Sequence, residues 1–182
     1  MITKKTYKVA EHLFRVEMEE SSFLWDRMNE AYGPFEVNET ETEVLFTVCV
    51  YDNSCEECSS EEESRLNEMT LVYSNKDTVE PGFVELTVYK DEKGHGFGFR
   101  QPMSESTNGY LFITNNWKQA RLHLYGNEIK KWMTFTTGIN FCYLLATASH
   151  QTVLAHSSCV TYRGKAYMFL GKSGTGKSTQ SL

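Results

Sequence analysis

Eight residues near the end of this chain, Gly171-Lys172-Ser173-Gly174-Thr175-Gly176-Lys177-Ser178, fit the pattern G-x-x-x-x-G-K-[ST] without a deviation. Few patterns so short constrain a fold as tightly. The glycines let successive backbone N–H groups turn inward and form a nest for phosphate oxygens. Such a nest needs a strand that delivers the chain into it and a helix that leaves it. The apolar run Ala166-Tyr167-Met168-Phe169-Leu170 enters it directly and reads as that strand. Lys177 places a positive charge against the β and γ phosphates of a nucleotide, and the Ser178 hydroxyl suits Mg²⁺. The helix opening there turns the positive end of its dipole toward the anion. The expected cofactors are ATP and Mg²⁺, held by residues 171–178 with Thr179 following. A Gly/Ser-rich surface turn is the competing reading.

Charge is distributed to match. The 182 residues carry 24 acidic and 18 basic side chains, a net charge of −6. Residues 1–64 hold 16 acids and 5 bases, and no Asp or Glu follows Glu128. A basic C-terminal segment beside an acidic N-terminal one suggests an anionic ligand at the C-terminal end. The acidic balance, without a dense Lys/Arg stripe, argues against nucleic acid as a partner. Hydrophobic residues make up 40% of the chain, enough for a core that needs no staples. The N-terminus leads into no apolar signal core, and no run approaches the roughly 18 apolar residues of a membrane span. Five cysteines, an odd number, make a closed disulfide framework unlikely, so no membrane partner is expected and the cytoplasm is the default compartment.

The residue pattern predicts an α+β chain. Tyr7–Met18 reads as a strand, and Ser21-Ser22 as the cap of a short helix through Asn29 that Gly33-Pro34 ends. Val44–Tyr51 is the best strand of the first half. Residues 52–64, rich in acids and serines, read as a solvated loop. Strands follow at Met69–Tyr73 and Val84–Tyr89, then a turn at Asp91–Gly94, a strand through Gly96–Phe99, and a hairpin of Tyr110–Thr114 with Ala120–Tyr125. A buried helix is expected over Ile139–Ser149. Two strands, Val153–Tyr162 and Lys165–Leu170, join at the tight turn Arg163-Gly164. This divides the chain into a strand-rich unit, 1–127, and the incomplete front of a nucleotide-binding domain, 128–182.

The residues Leu154-Ala155-His156-Ser157-Ser158-Cys159-Val160, then Tyr162-Arg163-Gly164-Lys165-Ala166, then Phe169 through Thr179 resemble the bacterial HPr kinase/phosphorylase group, whose fold is related to phosphoenolpyruvate carboxykinase. The resemblance covers about residues 150–180. The rest of the chain is more vaguely similar to uncharacterised proteins of Bacteroidetes type. Members of the group place a histidine on the strand before a hairpin and then the phosphate loop; here His156 precedes Lys177 by 21 residues. The resemblance implies that His156 lies near the transferring phosphate, that Lys177 binds and polarises it, and that Ser178 helps to hold Mg²⁺. It also implies phosphoryl transfer to a protein or small-molecule hydroxyl, often by a homo-oligomer. The acidic residue common after the loop is absent from Thr179-Gln180-Ser181-Leu182.

Phosphoryl transfer also needs a carboxylate to position Mg²⁺ or the acceptor, and residues 129–182 have none. The chain is therefore expected to be the front part of a longer kinase-like protein, with little catalysis by these residues alone. A non-catalytic module with a remnant phosphate loop, binding phosphate or a partner, is the alternative. A phosphoenolpyruvate carboxykinase-like lyase would need further metal ligands and arginines that the sequence does not present. Cys55-x-x-Cys58 reads as part of an acidic loop rather than half a zinc site. His12, His95, His123 and His150 have no metal-ligand spacing, and His156 has an ordinary strand histidine as its bland reading. Gly94-His95-Gly96-Phe97-Gly98 reads as a turn, and Lys130-Lys131-Trp132 as a solvated helix start.

Overall fold

The chain alternates strand-forming runs with short turns, and in a computed structural model nine of the described strands assemble into one wide sheet and two into a separate hairpin. The structure describes residues 1–38, 43–52, 60–79, 84–101, 107–155, 157–171, 176 and 179. The described residues form eleven strands and three α-helices, a mixed α/β architecture. They fall into two compact units, Met1–Thr152 and Val153–Leu182.

The first unit begins with β1 (Ile2–Val9) and β2 (His12–Glu19), an antiparallel hairpin rather than one strand over Tyr7–Met18. Ala10 and Glu11 turn it with φ of 45° and 68°, a conformation that residues other than Gly seldom adopt, so the sequence gives little warning of the turn. Helix α1 (Leu24–Tyr32) follows, then a short β3 (Glu36–Val37) and β4 (Phe46–Asp52). Helix α2 (Ser60–Asn67) replaces part of the expected loop. Leu66, beyond the acidic run, is 3% exposed and supplies the apolar anchor that holds this otherwise polar helix. Strands β5 (Thr70–Ser74), β6 (Glu85–Lys90), β7 (Gly94–Arg100), β8 (Thr107–Thr114) and β9 (Gln119–Leu124) form an antiparallel meander. The sheet order is β3-β1-β2-β4-β9-β8-β7-β6-β5, with β4 parallel to both of its neighbours.

Side chains alternate across this sheet, so the register sorts them onto two faces. One face carries Phe14, Val16, Phe46, Val48, Leu111, Leu122 and Phe99, all buried. Tyr7, Phe14 and Phe46 stack in a row across β1, β2 and β4, with centroid separations of 5.5 and 5.1 Å. Helix α3 (Glu128–Thr147) covers this face. Its buried Lys131, Thr134, Phe135, Gly138, Ile139, Cys142, Tyr143 and Ala146 recur at helical spacing. The helix therefore starts eleven residues before the expected Ile139, at the Asn127 cap, whose side chain accepts from the Lys130 amide at 3.0 Å. Because α3 buries its stripe on β4, β8 and β9, it packs with the first unit, and the units divide after Thr152 rather than at 127.

Lys131 is not part of a solvated helix start. Its side chain is 11% exposed and its ammonium donates to Asp52 Oδ1 at 2.6 Å, while the Ser22 hydroxyl donates to Asp52 Oδ2 at 3.1 Å. One carboxylate thus links α3, β4 and the segment entering α1.

The second face is open except where α2 lies on β7 and β8. β7 includes the strand expected at Gly96–Phe99 and reaches back to Gly94, so the 94–98 glycine pattern is strand and not turn, and its glycines clear room for that helix. A Cβ on Gly96 would run into the Leu66 side chain, and one on Gly98 would sit 2.6 Å from Thr87 Oγ1. A Cβ on Gly94 would land on the Ile113 carbonyl. On the opposite face, Phe97 and Phe99 stack with Phe141 of α3 at 5.5 and 6.0 Å.

Two stability outcomes follow. Gly96→Ala should destabilise the chain by about 1–3 kcal/mol through overpacking beneath α2, read from a shift in the urea midpoint with an unchanged slope. Lys131→Met should cost about 3 kcal/mol or more, because it strands the Asp52 carboxylate. Adding Asp52→Leu should recover much of that loss; a double variant no better than the single one would count against the ion pair as the cause.

Candidate functional site

The glycine-rich motif of residues 171–178 follows a hairpin in the second unit. The hairpin's strands β10 (Ser157–Tyr162) and β11 (Lys165–Leu170) pair antiparallel from Ser157↔Leu170 to Tyr162↔Lys165. Arg163 and Gly164 turn the hairpin with φ of 49° and 72°, both central residues in the left-handed region, as a two-residue hairpin requires. The Arg163 guanidinium lies 5.0 Å from the Tyr162 ring centre. β11 ends at Leu170, so the strand runs straight into Gly171. Gly176 has φ of +78°, with nothing within 4 Å of where a Cβ would stand, and Thr179 is helical. The remaining loop residues Lys172, Ser173, Gly174, Thr175, Lys177 and Ser178 lie outside the described residues, as do His156, Cys55 and Cys58. No described residue of β10 or β11 is buried, and Tyr162, Tyr167, Met168 and Leu170 are exposed by 47–69%.

Among the described residues, no group of three or more His, Cys, Asp or Glu side chains is placed to hold a metal ion. Nor is any helix there long and apolar enough to cross a membrane.

The first unit brings together a second set of polar groups that the sequence does not announce. On the open face, the β9 residue His123 stacks on Tyr51 of β4 at 4.6 Å and 12°. Its Nδ1 lies 2.9 Å from Glu62 Oε1 of α2, and the Tyr125 hydroxyl donates to Glu62 Oε2 at 2.9 Å. Burial holds the His123 imidazole below its ordinary pKa; Glu62 opposes that shift, and the nearby Arg121 and Arg65 reinforce it. The neutral ring then donates Nδ1–H to the carboxylate. Cys49 is pushed up by burial and by Glu17, whose carboxylate accepts from its thiol at 3.9 Å, so it stays a thiol rather than a nucleophilic thiolate.

Beside this network lies a cavity of about 530 Å³ between α2 and the sheet, lined by Arg65, Lys93, Arg121, Tyr51, Cys49 and Phe112 among others. The Arg65 guanidinium sits 4.2 Å from the Phe112 ring centre. Arg121 lies directly across from Phe112 in the β8–β9 register and across from Cys49 in the β4–β9 register. These residues come from elements far apart in sequence. Their only sequence signal is the alternation of Gln119, Arg121 and His123 with apolar partners, which places them on one face.

No family model, curated protein or solved structure matches this chain.

The depressed His123 and His95 groups set a pH dependence. Burial is the main cause in both, with Lys90 adding to it and Asp91 opposing it at His95. The unfolded imidazoles take up protons near about pH 6.5, while the folded ones do so only at lower pH. Stability is therefore fully present above about pH 6.5 and falls as pH drops toward the folded values. Urea midpoints at pH 7.5 and 5.5 should show this drop, and His123→Gln should shrink it. An equal drop in that variant would show that His123 does not contribute.

Proposed function

We propose that the chain binds Mg·ATP through Gly171–Ser178 and serves phosphoryl transfer to a protein or small-molecule hydroxyl, as its resemblance to HPr-kinase-like proteins suggests. The observation that carries this reading is the complete G-x-x-x-x-G-K-[ST] motif set directly after β11. The positive φ of Gly176 supports it, because the residue before Lys177 takes a backbone conformation suited to a nest of N–H donors. In this reading the backbone of Gly171–Gly176 cradles the phosphates and Lys177 neutralises them. Ser178 supplies a hydroxyl to Mg²⁺, which polarises the γ phosphate, and His156 stands near the phosphate in transit. The carboxylate that orients the acceptor comes from outside residues 129–182, which hold none.

That same gap favours a second reading, a phosphate- or partner-binding module without turnover. Calorimetry of Mg·ATP with the full chain separates binding from its absence. Lys177→Ala should weaken affinity by roughly ten- to a hundredfold, the effect of one charge-assisted contact. Unchanged affinity would sink the nucleotide reading altogether. Release of labelled phosphate that disappears in Lys177→Ala would establish turnover, and tight binding without release would favour the module.

A further inference from the structure

We propose that the cavity on the open face of the nine-stranded sheet is a second binding site, separate from the phosphate loop, for a small phosphorylated ligand with a planar ring, a mononucleotide by class. The cavity's described lining residues all belong to the first unit, on α2, β4, β8, β9 and the turn before β7. Its about 530 Å³ falls within the range of small-molecule sites.

Charge is the first argument. Residues 1–152 carry 24 acidic and 14 basic side chains, a net −10, yet this cavity gathers Arg65, Lys93 and Arg121 with Asp91 the one carboxylate among its described lining residues. One Asp91 oxygen is already engaged, accepting from the Lys93 and Gly94 amides at 2.8 Å each. None of the three cations enters an ion pair with a described carboxylate. In an acidic unit, three cations gathered on one cavity with no described ion-pair partner make a local positive patch that suits an anion.

Geometry is the second. Phe112 is 5% exposed and fixed in the sheet. Arg65 reaches over its ring from α2, and Arg121 stands beside it on β9. A guanidinium over an aromatic ring can still present N–H groups to a ligand, and two guanidinium forks with an ammonium suit the oxygens of a phosphate dianion.

The ring requirement comes from Tyr51. It stacks on His123, remains 45% exposed and lines the same cavity, so it offers a fixed aromatic surface about one residue pair from Arg121. The flanking surface excludes a long polyanion, because the neighbouring hollow beside Tyr51 is lined by Glu17, Glu19 and Asp52. A compact ligand avoids that repulsion; a nucleic-acid strand crossing the sheet would meet it.

The test is calorimetric titration of AMP at low ionic strength into the full chain carrying Lys177→Ala, which weakens the phosphate-loop contribution, so that dependence on Arg65 and Arg121 reports the cavity. AMP should bind, and Arg65→Ala or Arg121→Ala on that background should each weaken it by about tenfold or more. Ribose 5-phosphate, lacking the ring, and adenosine, lacking the phosphate, should both bind more weakly than AMP. Arg121→Lys, which keeps the charge and loses the fork, should fall between parent and Ala. Both arginines are exposed, so melting temperatures should stay near the parent's. If either does not, Lys93→Ala on the turn reads the same charge cluster. Absence of AMP binding in the Lys177→Ala chain, or binding indifferent to Arg65, Arg121 and Lys93, overturns the site. Ribose 5-phosphate binding as tightly as AMP overturns the ring requirement. A wild-type chain that binds Mg·ATP while the Lys177→Ala chain ignores AMP leaves the phosphate-loop reading intact and removes this one.

Discussion

The contact between Lys131 and Asp52 at the middle of the sheet decides which face of this protein is closed. Asp52 ends β4, the strand parallel to both of its neighbours, and it receives Lys131 from α3 and Ser22 from the approach to α1. Both helices are drawn to the same side. There they bury the aromatic row of Tyr7, Phe14 and Phe46, with Tyr143 set edge-on against Phe14 and Phe46. A buried ion pair adds little net stability by itself, but it fixes where its helix sits. Here it seats α3 where Gly138 lets Leu122 approach the helix backbone.

With α1 and α3 committed to one face, only α2 is left for the other. It is short and acidic, and it adheres through Leu66 and Met69 to the surface that the β7 glycines leave bare. A helix of this length covers β7 and β8 and reaches β9 through the pairing of Glu62 with His123. The β4 and β9 side chains Cys49, Tyr51 and Arg121 are left lining a hollow rather than a core. The same glycines that admit α2 therefore also set the wall of the cavity. The packing rule for the closed face and the chemistry of the open face have one structural origin.

Much of the strand content was legible because β-branched and aromatic runs alternate with turn residues. Phe46–Asp52, the β6–β7 turn at Asp91 and the Arg163-Gly164 hairpin lie where the pattern places them. The failures have physical causes. The Ala10-Glu11 turn uses residues with no turn signature, and α2 is helical through a single buried leucine outside the acidic run. The first half of α3 mixes lysines and threonines that only tertiary packing makes apolar-facing. The strand at Gly96–Phe99 lies where expected, but why its glycines lack side chains, to admit α2 over them, is something no local pattern expresses. The glycine-rich motif of residues 171–178 is visible because it is local, its groups all lying in one short segment. The Arg65–Phe112–Arg121 cluster was invisible because it joins α2, β8 and β9 through register alone.

This contrast bears on how the two units divide the chemistry. The second unit has four basic side chains, no acid, and a hairpin whose described residues bury no core of their own. An isolated two-stranded hairpin is marginal in water, so the strand that enters the phosphate loop depends on something besides its own pairing. The first unit is built differently, since its core closes on α1 and α3. Its open face is therefore preorganised, with Phe112 and Tyr51 fixed in the sheet.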